Sequence, residues 1–397
     1  MRIAHSSDWH AGRVFKQVAR LPELANVLEA MGDDLERERV ELLLVSGDVF
    51  DSGAPSADAE RLVFSFFKRV GRAGLRTVVI AGNHDNASRM EAWGRLAELV
   101  DVTVVDRPRS RDEGGLVELA TRAGERAQVA AVPFAAPRLF VSALEAAQGR
   151  TDAAGQRLHG ETVARQSYAE GLAAVVANLS EGFRPDAVNL LMLHTHLTGA
   201  VFSGSERQVH LGDDWAATPQ AIPSRAQYVA LGHIHKPQRV EAAPTPALYA
   251  GSPLQMDFGE EGEDKSFVLV DARAGQPARI ERVPYRGGRR LRRLRADLAT
   301  LERDAPALRE SRDLLALSVP LRVADPELNA RVRRLLPNAV KVEAEVETGT
   351  AGGQAERPAA GASERELFRA YQRARRGGEP SEELMRAFDE LLHGCQD

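Results

Sequence analysis

Short apolar runs recur along the first part of the chain, and each stops at a cluster of polar residues. "RIAHSSD", "LLLVSGD", "TVVIAGN", "VTVVD", "QVAAVPF", "NLLMLHTH", "YVALGHIH", "ALYAGS" and "SFVLVDA" have the length and β-branched content of buried strands. Helical stripes lie between them. Leu24, Val27, Leu28, Met31 and Leu35 share one face of a helix predicted from about Pro22 to Arg39. A second helix follows Ser56, with Leu62, Val63, Phe66, Phe67 and Val70 inward and Gly74 as its stop. Residues 136–183 also read mostly as helix. This alternation over roughly the first 275 residues predicts an α/β domain.

From about Tyr285 the spacing changes. "LRRLRADLATLERD", "LLALSVPLRV", "DPELNARVRRLLP" and "AVKVEAEVE" predict strand or helix, strand, helix and strand, a small second α/β unit. Asp325 is placed to cap the helix that Pro326 begins. Residues 348–362 form a Gly/Ala/Pro linker with nothing to bury. Ser363 and Glu366 have capping-box spacing and open a helix bearing Leu367, Phe368, Tyr371 and Ala374 on one face. Ser381 starts another, with Leu384, Met385, Phe388, Leu391 and Leu392. The expected organisation is a first domain over 1–283, a capping domain over 284–347, a linker over 348–362 and a helix-loop-helix segment over 363–397.

Composition narrows this picture. With 397 residues, 43% of them hydrophobic, the chain can bury a large core. A net charge of −5 gives no global signature of polyanion binding. Cys395 is the only cysteine, which excludes a disulfide framework and a thiolate metal site. "MRIAHSSDWH" lacks the apolar core of a signal peptide, and no stretch approaches the ~20 apolar residues of a membrane span. A soluble, cytoplasmic protein is expected. "YRGGRRLRRLRADL" is the local exception to the acidic balance. It reads either as a solvated face or as a phosphate-backbone track, with Arg289, Arg290, Arg292 and Arg293 as candidate contacts beside Arg286 and Arg295. No G-x-x-x-x-G-K-[ST] loop occurs, and "GEEGEDKS" reads as an acidic turn, so any ATP dependence needs another polypeptide.

The polar clusters that end the strands carry the chemistry. They hold Asp8 and His10, Asp48 and Asp51, Asn83 with His84 and Asp85, His194 and His196, and His233 with His235. Residues two apart on a strand share a face, so Asp8 and His10 can converge, as can His233 and His235. The carboxyl ends of strands in α/β sheets form a crevice where ligands bind. Imidazole, carboxylate and amide oxygen without thiolate suit Mn²⁺, Fe or Zn²⁺. His5, in mid-strand, reads as a core histidine, and Asp51 and His210 as turn and loop residues.

DxH, GDxxD, GNHD, an apolar strand ending in His, and GHxH, in that order, resemble the calcineurin-like metallophosphoesterases. "SDWHAG", "GDVFDSG" and "YVALGHIHKPQ" are similar to the DNA-repair nuclease branch of that family, and the resemblance runs nearly the whole length. It implies an α/β protein built on a two-layer β-sandwich flanked by helices, with a small α/β cap and a C-terminal helix-loop-helix. It also implies two Mn²⁺ ions (Mg²⁺, Fe²⁺ or Zn²⁺ being alternatives) and cleavage of DNA, by 3′-to-5′ double-strand exonuclease and single-strand or hairpin endonuclease action. Asp8, His10 and His235 would hold the first metal, Asp48 would bridge, and Asn83, His194 and His233 would complete the second. The spacing to Gly199 favours His194 over His196, which would then face the substrate cleft. His84 would contact the scissile phosphate and serve the leaving oxygen, with Asp85 orienting its ring. The resemblance further implies a coiled-coil ATPase partner bound through 363–397, and a homodimer through helices bearing Phe64, Phe67, Trp93 and Leu96. Two other readings stay open: a phosphoprotein or cyclic-nucleotide phosphoesterase, and a non-catalytic DNA-end tether.

Overall fold

In the computed structural model, which describes residues 1–122, 124–135, 161–206, 216–323, 325–346, 363–376 and 378–394, the apolar runs pair into two stacked sheets. The strands are β1 (Arg2–Ser6), β2 (Val14–Phe15), β3 (Val18–Ala19), β4 (Leu42–Ser46), β5 (Arg76–Ile80), β6 (Val102–Val105), β7 (Leu116–Ala120) and β8 (Arg126–Val132). They continue with β9 (Val188–His194), β10 (Tyr228–Gly232), β11 (Gln238–Arg239), β12 (Ala247–Tyr249), β13 (Ser266–Asp271), β14 (Arg279–Pro284), β15 (Leu291–Arg295), β16 (Leu314–Leu321) and β17 (Ala339–Val346). One sheet runs β14-β13-β1-β4-β5-β6 and the other β11-β12-β10-β9-β8-β7. Within the first, β1, β4, β5 and β6 are parallel, and within the second β8, β9, β10 and β12 are. Each parallel set therefore ends its strands along one edge, which is where the polar clusters stand.

The strands read as unbroken apolar runs because both faces of each sheet are covered. Ile3, Leu44, Val78 and Ile80 face Val129, Leu190, Met192 and Tyr228 across the sandwich. The opposite face of the first sheet, with Ala4, Leu43, Val45 and Val79, packs under α1 (Leu21–Arg37), α2 (Ala57–Ala73) and α3 (Ala87–Ala97). Trp9 stacks on Phe67 there, with ring centroids 5.4 Å apart. The other outer face lies under α4 (Glu161–Glu181), whose Tyr168, Leu172, Val176 and Leu179 are buried against Leu191, Leu193 and Leu231. Ser56 caps α2 by accepting from the Ala59 N–H, and Gly74 ends it in the left-handed conformation. The helical pattern over 136–160, the 348–362 linker, His210 and Cys395 lie outside the described residues.

The ambiguous "LRRLRADLATLERD" resolves into β15 followed by α5 (Leu298–Glu310), capped by Asp297. With α6 (Leu328–Leu335), α5 covers one face of a parallel β15-β16-β17 sheet through Leu301, Ala305 and Val332. The other face, with Leu291, Leu314, Ala316 and Val340, packs on Phe15 of the β2–β3 hairpin and on Phe258. Asp325 does not cap α6. Its carboxylate accepts from the Glu327 N–H at 2.8 Å, a local turn that delays the helix until Leu328. Beyond the linker, α7 (Glu364–Arg376) and α8 (Glu382–Gly394) pair through Phe368 and Phe388, whose rings stack at 4.1 Å. Ser363 and Glu366 make both capping-box hydrogen bonds at the start of α7.

Candidate metal centre

The site forms where the chain leaves β1, β4, β5, β9 and β10. The strand pleat, expected from sequence to bring Asp8 to His10 and His233 to His235, does not do so, because these residues lie past the last pairing residues, Ser6 and Gly232. Tight turns converge them instead. Asp8, His10, Asp48 and His233 all take positive φ, at 53°, 47°, 50° and 96°. For side chains other than glycine such conformations cost of order 1–3 kcal/mol each and persist only where the surroundings enforce them. Here the enforcement is visible. The Asp8 N–H donates to Gly47 O and the His10 N–H to Asp48 O, each at 3.0 Å. Asp48 Oδ1 accepts from the His84 N–H at 2.8 Å, and Asp8 Oδ1 from the His233 N–H at 3.0 Å. Gly82 is required beside them, because a Cβ there would stand 2.1 Å from Asp48 Oδ1.

The side chains meet in a cage. His10 Nε2 and His235 Nε2 are 3.1 Å apart, and His10 Nε2 is 3.6 Å from Asp48 Oδ2. On the other side of Asp48, His194 Nε2 lies 3.6 Å from Oδ2 and 3.0 Å from Asn83 Oδ1. His233 Nδ1 approaches the same Asn83 oxygen at 2.8 Å. His194 donates its Nδ1–H to the Ser46 carbonyl at 2.7 Å, which turns Nε2 toward the cage. Asp8, His10, Asp48, His194 and His235 are buried.

This donor set fits divalent cations. Carboxylate and amide oxygens and ring nitrogens point at one another with little to separate them, so the cage draws positive charge. Burial would raise the Asp48 carboxyl, but His194 outweighs it and holds the acid far below its ordinary range. Burial opposes charge on His194 as well, yet Asp48 overcomes it and raises that imidazole to about 9. Asp8 is pushed up to about 6, chiefly by burial. Asp8, His10 and His235 form one group with ligand atoms within 4.8 Å of each other, and Asp8, Asp48 and His194 form a second.

A family model for calcineurin-like phosphoesterases matches residues 1–237. The chain belongs to that family. It is a metal-dependent phosphoesterase, and its cage is the metal centre of that fold. A second model, described as the type 5 capsule protein repressor C-terminal domain, matches residues 288–376 of this phosphoesterase. Among curated proteins, one from Bacillus subtilis, named as the SbcD component of the SbcCD nuclease, is 30% identical over 402 residues, covering 100% of this chain and 99% of its own. Proteins of the same name from Rhodobacter capsulatus and Escherichia coli K12 are 35% and 28% identical, over 70% and 76% of this chain and 68% and 72% of theirs. The phosphoesterase thus stands on the SbcD branch of the family.

His84 sits half-buried at the mouth of the phosphoesterase cage, its ring 4.6 Å from that of His10, and its Nδ1–H donates to the Asp51 carbonyl at 2.9 Å. His10, Asp48 and His84 also form a group close enough to share an ion. The orienting role expected of Asp85 falls to that Asp51 carbonyl. The Asp85 carboxylate instead accepts from the N–H groups of Gly82, Val49 and Phe50, and so ties the loops after β4 and β5 together. Asp51 is more than a turn residue, since Oδ1 lies 3.2 Å from His10 Nδ1 and 3.1 Å from Arg13. His196 stands outside the cage against Phe202, with centroids 4.5 Å apart. His5 is a core residue bonded to Tyr228 OH at 2.8 Å, and burial lowers it to about 3.

The arginine run is not a bare positive track. Arg289 pairs with buried Glu23, Arg290 with Asp264, Arg292 with Asp313, Arg293 with Glu261, Arg286 with Asp34 and Arg295 with Glu345. "GEEGEDKS" is not a solvated turn either: Glu260 and Lys265 from it are buried behind His235. Nothing in the sequence marks them, or Ser205 and Glu206, because their partners lie 29 to 55 residues away and no motif spans that distance.

Proposed function

We propose that this phosphoesterase is the nuclease subunit of a DNA-end-processing complex. It is read as a Mn²⁺-dependent DNA phosphodiesterase with 3′-to-5′ double-strand exonuclease and single-strand or hairpin endonuclease activity, serving repair and recombination in the cytoplasm, at the nucleoid. The carrying observation is the convergence of Asp8, His10, Asp48, Asn83, His194, His233 and His235 at one sandwich edge. Asp8, His10 and His235 take one metal, Asn83, His194 and His233 the other, and Asp48 lies between. Metals bound there neutralise charge on the phosphoryl oxygens. His84 has its Nδ1–H committed to the Asp51 carbonyl, so Nε2 is the nitrogen free to give a proton to the leaving oxygen.

The name of the Bacillus subtilis relative, which this chain covers end to end, supports DNA as substrate and an SbcC-like coiled-coil ATPase as partner. The segment 363–397 is assigned to that partner. Arg290 and Arg293, the more exposed members of the run with looser ion pairs at 3.3 and 3.4 Å, are the arginines best able to exchange carboxylate for phosphate. Homodimerisation uses the exposed part of the α2–α3 surface, Phe64, Leu96 and Leu99, whereas Phe67 and Trp93 belong to the core. The reading is tested with end-labelled hairpin DNA and Mn²⁺, with and without the ATPase. Chelator-sensitive cleavage is expected, and its absence overturns the reading. A panel with phosphopeptides and cyclic nucleotides tests the rival phosphoesterase reading.

A further inference from the structure

Behind His235 lies a buried chain of polar groups that the cage itself does not require. His235 Nδ1 is 2.5 Å from Ser205 Oγ, and the Ser205 hydroxyl donates to Glu260 Oε1. The other Glu260 oxygen accepts from Lys265 Nζ at 2.6 Å and from the Met256 N–H at 3.0 Å. Glu260 is 0% exposed. Glu206, also buried, accepts from the N–H groups of Ser203, Gly204 and His235, which pins Ser205 against the ring.

The direction of each hydrogen bond follows from counting protons. Lys265 and the Met256 amide can only donate, so Glu260 must accept. The Ser205 hydroxyl has one proton, and the carboxylate takes it. Ser205 Oγ is left as an acceptor, and His235 must present Nδ1–H to it. Nε2 then faces His10 Nε2, 3.1 Å away.

We propose that Glu260, acting through Ser205, is a positioning residue that keeps the His235 proton on Nδ1, so that Nε2 presents its lone pair to the metal. This rests on the assignment of His235 as a ligand made above. Glu260 touches neither metal nor substrate. A histidine ligand whose other nitrogen is held by a carboxylate is fixed in both tautomer and orientation, and loss of such support costs roughly 10–100-fold in metal affinity.

Glu260→Gln separates this role from packing, because the amide has nearly the same shape. Its oxygen turns to Lys265 and the Met256 amide, which only donate, and its NH₂ turns to Ser205. Ser205 then accepts from the amide and donates to His235 Nδ1, and the ring proton is driven to Nε2. Two measurements on the full chain follow. Nitrogen-15 spectra of the histidine rings, on metal-free protein at alkaline pH where imidazoles are neutral, are expected to show His235 protonated on Nδ1 in the wild type and on Nε2 in Glu260→Gln. Calorimetric titration with Mn²⁺ is expected to show affinity lowered by roughly 10–100-fold. An unchanged tautomer with unchanged Mn²⁺ affinity overturns the proposal. If Glu260→Gln does not fold, Ser205→Ala replaces it. A mixed tautomer and weaker Mn²⁺ binding support the relay, and wild-type behaviour in both overturns it. His235→Ala keeps the two readings apart: if it binds Mn²⁺ as the wild type does, the ligand assignment falls, whatever the tautomer in Glu260→Gln.

Discussion

Asn83 and His84 are adjacent in the chain, yet their polar atoms have different work. Asn83 Oδ1 sits between His194 and His233, whereas the His84 ring is held by the Asp51 carbonyl at the cage mouth. His84→Ala is therefore expected to keep near-normal metal content while cleavage falls roughly 10²–10⁴-fold, the usual worth of a proton donor at the leaving group. Elemental analysis alongside DNA cleavage checks this, and loss of metal would make His84 a ligand. His194→Ala is expected to weaken Mn²⁺ binding far more than His196→Ala, because only His194 approaches Asp48 and Asn83. Metal titration of the two variants decides between them, and the reverse order moves the ligand. These residues were legible from sequence because each ends an apolar run at a strand terminus. The left-handed turns that aim them were not, since Asp8, His10 and His233 carry no local mark of positive φ.

Helices were legible where a cap and a stripe coincide, as at Ser56 for α2 and Ser363 for α7. Strands were legible where both faces are buried. β7, β14 and the β2–β3 hairpin escaped notice because they are edge or two-strand elements with mixed exposure and lack a continuous apolar run. The α7–α8 pair shows what an amphipathic stripe leaves unsettled. Phe368 and Phe388 stack on each other and Met385 is buried, but Leu384, Leu391, Leu367 and Tyr371 remain exposed. The surplus apolar face suits a helix-in-groove contact. Leu384→Glu with Leu391→Glu is expected to abolish co-purification with the ATPase while Mn²⁺-dependent cleavage of single-stranded DNA is retained. Undiminished co-purification would return these side chains to an ordinary solvated surface.

At the scale of the molecule, the cage joins the two sheets. Asp8, His10, Asp48 and Asn83 follow strands of one, and His194, His233 and His235 follow strands of the other. Metal binding should therefore stabilise the sandwich as a unit, by about 2.7 kcal/mol at a free ion concentration of 100 Kd. Thermal unfolding with Mn²⁺ and with chelator measures this, and coincident melting curves would contradict it. A second joint, between sandwich and cap, is ionic. Glu23 accepts from Arg20 at 2.7 and 2.9 Å and from Arg289 at 3.1 Å, with Arg20 only 2% exposed. Burial pushes the Glu23 carboxyl up, but the two arginines more than offset this and leave it below the ordinary 4.5. Because the folded value is the lower one, this contribution is complete above about pH 4.5 and fades as the pH falls through the folded value. Glu23→Gln should destabilise the protein at neutral pH and flatten the acid limb of its stability profile, as followed by chemical denaturation. An unaltered acid limb would remove Glu23 from that account.

The left-handed ligands carry a consequence for anyone who breeds this protein. At Asp8, His10, Asp48 and His233 the residue that relaxes the backbone is glycine, and glycine binds no metal. A library selected for heat resistance without added metal should therefore accumulate glycine at these positions and lose its catalysts as it gains survivors. The same library selected with Mn²⁺ in excess should keep them, because there the ligand earns back more than its strained turn forfeits. Sequencing the two pools would show whether the ion or the backbone has the stronger vote.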